Sequence, residues 1–525
     1  MNKLLFSLLL FTVFSCEKET KKKLTAPLHS PIPAIVVDGK SVFIDTVLTT
    51  PFGGKILKEF YVATGFKSVW QSKKDREIIL DQLNNSEEEG LNVATYAINK
   101  LQQYEKKYDK LKDNERAKYD VLLTRKLQKY IAHLSSGLYN QRDFYNNWDL
   151  KKDTIDINST IAILLKTDSL NDKMEQLKPN HIVYKSLKKA LKIINTFPSS
   201  TFNPIAIESK IVLNDTNPSV IDIKKRLMYW KDMKPRDSIS AIYDRETNEA
   251  MKKFQIRHGL AADGVIGTGT IAALNFSKND RKQQILTNLE RWKWFPKDMG
   301  KEYLIVNIPD YKLTLVKNND TIRTYKVIVG KNKRPTPVLS SRLSNVILNP
   351  TWTVPPTILK EDVIPAISSN RNYLAQTNIK VYDTNGSEVS ASNWKLLSAK
   401  SYRYVQSPGT FNSLGMVKFS FPNRFSVYLH DTNHRDFFGK QKRSLSSGCV
   451  RVQNPLELAE YLLGDETKWN VKKITEILQS RKTKHIKIQK EVNIYILYWT
   501  AWSENNTLIF RDDIYNLDAV LNKKL

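Results

Sequence analysis

Two stretches of the sequence, separated by one loop, read Tyr428-Leu429-His430-Asp431-Thr432 and Ser446-Ser447-Gly448-Cys449-Val450-Arg451-Val452. His430 follows the apolar run 425–429, which is typical of a strand and would mount the imidazole rigidly. Gly448 has no Cβ, so the chain beside Cys449 can turn sharply and approach a substrate closely. The pattern indicates nucleophilic catalysis: a thiolate attacks a carbonyl, His430 moves the proton, and the amides of Gly448 and Cys449 receive the oxyanion.

The same residue types also allow a structural interpretation. A lone cysteine is usually a small buried hydrophobe, and a cysteine and a histidine in one chain are a weak signal. His434 is a rival base, but it lies in the polar loop 433–442 without a strand behind it, so it ranks behind His430. These two histidines are four residues apart on no predicted helix and have no evident third ligand, so we predict no metal site and no cofactor.

The active-site stretch resembles the signature of L,D-transpeptidases, the YkuD-type catalytic domain, and most closely the large multidomain YcbB-type branch. Many members carry histidine where this chain has Ser447; that branch tolerates serine, which leaves His430 as the expected base. The resemblance covers about residues 60–515. Four further stretches support it in the expected order: Asn349-Pro350-Thr351-Trp352-Thr353-Val354-Pro355-Pro356, Pro408-Gly409-Thr410-Phe411-Asn412-Ser413-Leu414-Gly415, Lys418-Phe419-Ser420-Phe421-Pro422-Asn423 and Phe510-Arg511-Asp512-Asp513-Ile514-Tyr515.

The resemblance implies a cysteine acyltransferase. Cys449 would attack the amide between diaminopimelate and the terminal D-alanine of a peptidoglycan tetrapeptide stem, and the amine of a second stem would resolve the thioester into a 3→3 cross-link. His430 would move the protons. Donor and acceptor stems are therefore the expected partners, and a carbapenem is an expected acylating inhibitor. The same acyl-enzyme resolved by water would make an L,D-carboxypeptidase, and a non-catalytic wall-binding lipoprotein is the remaining alternative.

Other residues of the site have expected roles, and some of them keep an alternative. The Tyr428 hydroxyl would help to hold the oxyanion, and Ser447 would contact substrate. Arg451 would bind a stem carboxylate bidentately or brace the loop through a structural ion pair. Trp352 would wall the groove or belong to the core. The second ring nitrogen of His430 would be oriented by the backbone carbonyl of Asp431 or by its carboxylate.

Charge and cysteine usage narrow the class of protein. Of 525 residues, 82 are Lys or Arg and 54 are Asp or Glu, a net charge of +28. Nucleic acid is one partner that such an excess suits, but no nucleic-acid-binding signature is present. An acidic polymer such as peptidoglycan is the other. The two cysteines, Cys16 and Cys449, exclude an intramolecular disulfide framework as a folding device.

The N-terminus predicts export. Residues 1–16 have a basic start and a short apolar core, as a signal peptide does, and Val13-Phe14-Ser15-Cys16 resembles a bacterial lipobox. Lipidated Cys16 would be the only membrane anchor, followed by a tether at 17–56. The alternative is a plain cleaved signal with an incidental cysteine. We expect a periplasmic lipoprotein on the outer membrane of a Gram-negative bacterium.

The rest of the chain predicts a multidomain α+β protein. Helical periodicity marks 57–213 as a helical scaffold domain, in which His133 and His181 are structural. Residues 218–275 resemble a three-helix peptidoglycan-binding domain, whose alternative is a spacer that binds nothing, and 276–301 is a linker helix. The mostly-β catalytic domain occupies 302–525, with a less regular lid at about 369–405. Predicted strands include 346–352, and 508–511 is expected to close the main sheet.

Overall fold

The computed structural model describes residues 40–150, 154–465 and 467–525 together with positions 32, 35 and 37, with the backbone alone at 50–53. The predicted signal at 1–16, its lipidation site Cys16 and almost all of residues 17–39 lie outside the described residues. Within the described part, no helix combines the length and the apolar character that a membrane crossing requires.

The first folded unit is helical, as predicted. Its elements are α1 (Thr46–Ala63), α2 (Lys73–Asn84), α3 (Ile98–Glu105), α4 (Asp113–Ser136), β1 (Trp148–Asp149), α5 (Ile157–Leu164) and α6 (Leu170–Gln176). Asp120 on α4 is buried, and it accepts hydrogen bonds from the Tyr61 hydroxyl (2.7 Å) and from the backbone N–H groups of Val69 and Trp70 (both 2.8 Å). These bonds satisfy the buried carboxyl group and tie α4 to the loop after α1.

A second group of helices packs against the C-terminal part of the chain. It contains α7 (Ile182–Asn195), α8 (Ser219–Tyr229), α9 (Arg245–Arg257), α10 (Thr268–Leu274) and α11 (Lys278–Trp292). Gln255 holds together the loop between α9 and α10, in the region that resembles a peptidoglycan-binding domain. Gln255 accepts from the Gly264 N–H (2.9 Å) and donates to the Val265 carbonyl (3.0 Å). Gly264 has φ +73°, and a Cβ there would lie 2.3 Å from Asn248.

The C-terminal part is built on strands. In chain order it contains β2 (Glu302–Asn307), β3 (Lys312–Lys317), β4 (Asp320–Gly330), β5 (Val338–Arg342), β6 (Asn345–Leu348), β7 (Trp352–Thr353), α12 (Pro356–Ile358), α13 (Ile364–Ser369), α14 (Tyr373–Gln376), β8 (Ile379–Tyr382), β9 (Glu388–Val389), β10 (Arg403–Gln406), β11 (Val417–Ser420), β12 (Leu429–His430), β13 (Ser444–Ser446), β14 (Val450–Val452), α15 (Pro455–Leu463), α16 (Val471–Gln479), β15 (Lys484–Lys487), β16 (Asn493–Leu497), β17 (Ala501–Glu504), β18 (Thr507–Phe510) and α17 (Leu517–Asn522).

The main sheet has the order β1-β5-β16-β2-β3-β4-β14-β12-β11-β6-β15, and β13 pairs with β4 beside this path. The parallel neighbours β16 and β2 are buried almost throughout, which explains their nearly continuous apolar sequences. One prediction is wrong here. The strand at 508–511 does not close this sheet, because β17 and β18 form a separate hairpin that packs against α7.

The predicted single strand 346–352 is also wrong, because Asn349 interrupts it. This residue has φ +51°, and its side-chain amide donates to the carbonyls of Ile477 and Leu478 (both 3.1 Å) and of Lys482 (3.2 Å). The chain therefore leaves the main sheet after β6 and enters a second sheet at β7.

That second sheet forms the lid, which is more regular than predicted. Its strands have the order β7-β10-β8-β9, and together with α12–α14 they enclose a separate apolar core that includes Ile367, Trp394 and Tyr404. The helix that follows β7 begins at Pro356 without a side-chain cap and passes through a π-helical turn at Leu359–Val363. The second sheet and its helices thus form a separately packed unit.

Candidate active site

Three neighbouring strands place three basic side chains in a row. Lys418 on β11 is directly opposite His430 on β12, and His430 is in register with Arg451 on β14. Residues opposite each other on paired strands share a face of the sheet. The predicted strand 425–429 is wrong in extent. Ser426 has φ +54°, and the Asn423 side chain binds the backbone N–H groups on both sides of it, so β12 begins only at Leu429.

The turn before β14 presents Cys449. The Ser446 hydroxyl donates to the Cys449 carbonyl (2.6 Å) and accepts from the Gly448 N–H (3.2 Å), and Thr336 donates to the Gly448 carbonyl (2.8 Å). Gly448 has φ +114°, a backbone conformation that is strained for any residue with a Cβ. The Gly448 N–H therefore already has a partner in Ser446, which an oxyanion would have to displace to reach this amide.

A cavity of about 490 Å³ opens beside this turn. The seven side chains or backbone positions singled out for the catalytic site in the sequence all line it: Trp352, Tyr428, His430, Ser447, Gly448, Cys449 and Arg451. Trp352 is half-buried, lines the cavity and also packs against the apolar core of the second sheet, so it occupies both of the expected positions. His434 is exposed, stacks on Phe437 at 5.0 Å between ring centroids, and is not among the lining residues.

The electrostatics of this cavity favour a neutral imidazole. Burial, the Arg451 guanidinium and the Lys418 ammonium together lower the pKa of His430 to about 3, against weaker opposing effects of the Asp431 and Leu414 backbone carbonyls. Burial raises the pKa of the Cys449 thiol, while Tyr428, Lys418 and Arg451 act to lower it. His430 is therefore unprotonated at neutral pH and available to accept a proton.

Of the two groups expected to orient His430, the backbone carbonyl and the carboxylate of Asp431, the carboxylate is bonded elsewhere. The Nδ1 of His430 is buried and has no hydrogen-bond partner of good geometry among the described residues, although the Asp431 and Leu414 backbone carbonyls lie near enough to raise the pKa of the ring. The Asp431 carboxylate does not serve as that partner, because it accepts from the Met416 N–H (2.9 Å) and forms an ion pair with Arg435 (3.0 Å). A Cβ on Gly415 would lie 2.4 Å from this carboxyl group, which shows how closely it packs on the far side.

Arg451 is a half-buried cation that has no carboxylate partner among the described residues. Its Nη1 donates to the Thr432 hydroxyl (3.2 Å), and its Nε is buried with no partner in the part of the chain that the structure describes. Burial lowers its pKa, and the Cys449 sulfur opposes this effect. Across residues 40–150, 154–465 and 467–525, no ion pair links Arg451 to an acid, so the structural ion pair that the sequence left open is not formed.

Two further residues of the site were not predicted. Lys418 lies behind the lining residues, with its Nζ 3.9 Å from the centroid of the Tyr428 ring. Arg334 lines the cavity and donates to the Ser447 hydroxyl (3.0 Å), and to Glu361 and Asp362 of the lid (both 3.0 Å). It therefore joins the lid to the turn that carries Cys449. In the described part, no three His, Cys, Asp or Glu side chains are grouped to hold a metal ion.

Comparisons with known proteins agree with this layout. Residues 55–191 match a family model described as a scaffold domain, residues 216–274 a peptidoglycan binding domain, and residues 301–480 the YkuD family, described as an L,D-transpeptidase catalytic domain. These matches confirm the predicted resemblance and fold class: a helical scaffold, a helical peptidoglycan-binding region and a mostly-β catalytic domain.

Individual relatives are more distant. A curated Haemophilus influenzae protein named as an L,D-transpeptidase is 37% identical over 243 residues, which cover 46% of this chain and 49% of that protein. The chain thus spans about half the length of this relative. A solved L,D-transpeptidase from Stackebrandtia nassauensis is 12% identical, with 56% of this chain and 97% of that one covered and a TM-score of 0.21. For one from Xylanimonas cellulosilytica the values are 13%, 56%, 99% and 0.17.

Proposed function

We propose that this chain, which carries an L,D-transpeptidase catalytic domain beside a scaffold domain and a peptidoglycan-binding domain, forms 3→3 cross-links in peptidoglycan through a thioester on Cys449. The observation that carries the proposal is the single cavity in which Cys449, His430, Tyr428 and Arg451 meet. A nucleophile, a proton carrier and a cation for a carboxylate are the groups that acyl transfer from a stem peptide needs.

The first half-reaction transfers the stem to the enzyme. The Cys449 sulfur attacks the carbonyl carbon between diaminopimelate and D-alanine, and the thiol proton passes to His430. As the C–N bond breaks, His430 returns this proton to the amine of the departing D-alanine. His430 is neutral when it accepts the proton, because burial and the nearby cations hold its pKa well below its ordinary value.

The second half-reaction forms the cross-link. The side-chain amine of an acceptor stem attacks the thioester, His430 takes the amine proton, and the proton goes to the departing sulfur. The tetrahedral intermediates of both halves need donors for their oxyanion. With the Gly448 N–H held by Ser446, the Cys449 N–H and the Tyr428 hydroxyl are the donors we propose.

Arg451 is the proposed carboxylate-binding residue of the donor stem. It lines the cavity, has no acidic partner among the described residues, and presents a planar fork that matches a carboxylate. Trp352 and Ser447 line the same groove and would contact the stem. The net charge of +28 and the domain at 216–274 favour encounter with an anionic cell wall, outside the cytoplasm. Attachment through lipidated Cys16 would hold the enzyme at the periplasmic side of the outer membrane.

The test follows protein mass and products together. The purified chain without its leader is incubated with disaccharide-tetrapeptide, and intact-protein and product masses are recorded over time. A thioester adduct with a cross-linked dimer supports the transpeptidase. An adduct that yields only tripeptide would establish the L,D-carboxypeptidase instead.

The controls separate an inactive preparation from a wrong assignment. Cys449→Ala should form no adduct. A carbapenem serves as a second acyl donor that needs no acceptor stem. If neither donor labels a folded chain that still sediments with peptidoglycan, the proposal is wrong and the chain is a wall-binding protein.

A further inference from the structure

Lys418 and Arg451 flank His430 on the face of the sheet that carries the active site. β11 places Lys418 opposite the histidine on one side, and β14 places Arg451 beside it on the other. Cys449 immediately precedes β14, and the positive charges of Lys418 and Arg451 both act on its thiol. This arrangement puts two positive charges around one nucleophile and one imidazole.

Lys418 is in no position to bind a substrate. It is half-buried, it is not among the residues that line the cavity, and its ammonium group lies over the ring of Tyr428, 3.9 Å from the centroid. None of the ion pairs formed within the described residues includes it, so no carboxylate neutralises it. A desolvated and uncompensated ammonium group is unfavourable, and such groups cluster at functional sites.

We propose that Lys418 sets the charge state of the active site: it stabilises the thiolate of Cys449 through space and keeps His430 neutral. It acts through these two side chains, so it is a positioning residue and not a catalytic one. The inference rests on the proposed function only in taking Cys449 as the nucleophile.

The proton balance of this proposal is simple. Without substrate, ionisation breaks the S–H bond of Cys449, leaves the electron pair on sulfur, and releases the proton to solvent through His430; during turnover His430 passes this proton to the departing amine. A cation beside the sulfur favours that anion, and the same cation disfavours a lasting imidazolium. The site therefore avoids a stable thiolate–imidazolium pair, and a proton on His430 moves on readily.

Other charged and titratable groups around the thiol come from each neighbouring element. Tyr428 precedes β12, His430 lies on it, and Arg451 lies on β14. Arg334 reaches Ser447 from the loop after β4, but Glu361 and Asp362 of the lid neutralise it. Lys418 and Arg451 are thus the cations near Cys449 that no described carboxylate offsets.

The experiment measures the thiol directly. Native chain and Lys418→Met are alkylated with iodoacetamide from pH 5 to 10, and the rate of mass gain at Cys449 is fitted for the apparent pKa of the thiol. Removing the charge should raise that pKa by roughly one unit, which slows alkylation about tenfold below it. Substrate is not needed, so the result is independent of whether the chain is a transpeptidase.

Three variants make the outcome decisive. Lys418→Arg keeps the charge and should keep the native pH profile. Lys487→Met removes one exposed lysine from β15 of the same sheet and should change nothing. If Lys418→Met lacks a cooperative melting transition, Lys418→Gln replaces it. A native profile in the neutral variant, or an equal shift in Lys418→Arg, overturns the proposal, because the lysine would then act by packing alone.

Discussion

Cations in the peptidoglycan-binding domain and cations at the active site differ in whether a carboxylate neutralises them. In the former, Arg257 and Asp232 form an ion pair with side chains only 6% and 7% exposed, and Lys224 pairs with Asp244 at 2.8 Å. In the latter, Lys418 and Arg451 have no described carboxylate partner. Charges that serve the fold are compensated inside it. Charges left uncompensated point to an anion that forms or arrives during function.

The largest effect should follow from removing the Cys449 thiol, which forms the anion at the active site. Cys449→Ala should lower cross-linking by at least about a thousandfold, since no thioester can form. Dimer formation from disaccharide-tetrapeptide, read by mass spectrometry, measures this loss. Thermal stability and sedimentation with peptidoglycan should not fall. A variant that still cross-links would place the nucleophile elsewhere.

Breaking a compensated pair should destabilise the protein. Arg257→Met leaves Asp232 buried without its partner, which typically lowers the free energy of unfolding by about 3–5 kcal/mol. Urea unfolding of the catalytic and peptidoglycan-binding parts, followed by tryptophan fluorescence, measures the change. A stability within error of the native chain would show that the pair contributes nothing net.

The matched change at the active site should do the reverse. Arg451→Met removes an unpaired cation, so the free energy of unfolding should stay the same or rise. Activity toward stems with a free carboxylate should fall about 10–100-fold in kcat/KM, the value of a lost charge-assisted bond. Initial rates with stems whose carboxylate is amidated supply the check, because they should be insensitive to the substitution. Equal losses on both substrates would contradict the assignment of Arg451.

A smaller effect concerns pH and the structural histidines. Burial lowers the pKa of His181 to about 4; its ring stacks on Trp292 (4.6 Å between centroids) and bonds to Tyr303 (3.1 Å). In the unfolded chain His181 takes up a proton near pH 6.5, whereas in the native chain it does so only near pH 4. The contribution of His181 to the free energy of unfolding is therefore complete above pH 6.5 and is lost as the pH falls toward 4. Urea unfolding between pH 4.5 and 7.5 tests this trend. His181→Gln should flatten the slope, whereas His485→Gln, at an exposed position, should not.

Local sequence patterns singled out residues that one cavity brings together. Cys449, His430 and Gly448 sit in a short motif, and the other predicted lining residues flank it or belong to supporting stretches, so one cavity gathers them all. Their roles remain proposals. The helices Ser219–Tyr229 and Pro455–Leu463 carry local signals of the same kind, namely helical periodicity and a proline at the first turn.

What escaped prediction depends on contacts between distant residues. Lys418 alternates with the buried Val417 and Phe419, a pattern that places it on a solvated face. Only the pairing of β11 with β12 brings it to His430. Arg334 joins the site through lid carboxylates that no pattern links to it. The apolar run at 425–429 looked like a strand because hydrophobicity does not reveal the turn that Asn423 imposes.

The two-residue strand β1 has a consequence for how such enzymes are assembled and dissected. It belongs by sequence to the N-terminal half, yet it pairs with β5 of the main sheet, and Asn147 beside it forms part of the cavity wall. A catalytic fragment cut at residue 302 would expose a bare sheet edge, which invites aggregation, and would lose a wall of its own reaction chamber. Gene fusion or domain shuffling that transfers the C-terminal half alone would therefore leave out part of the cavity wall. A fragment made for expression should begin before Asn147.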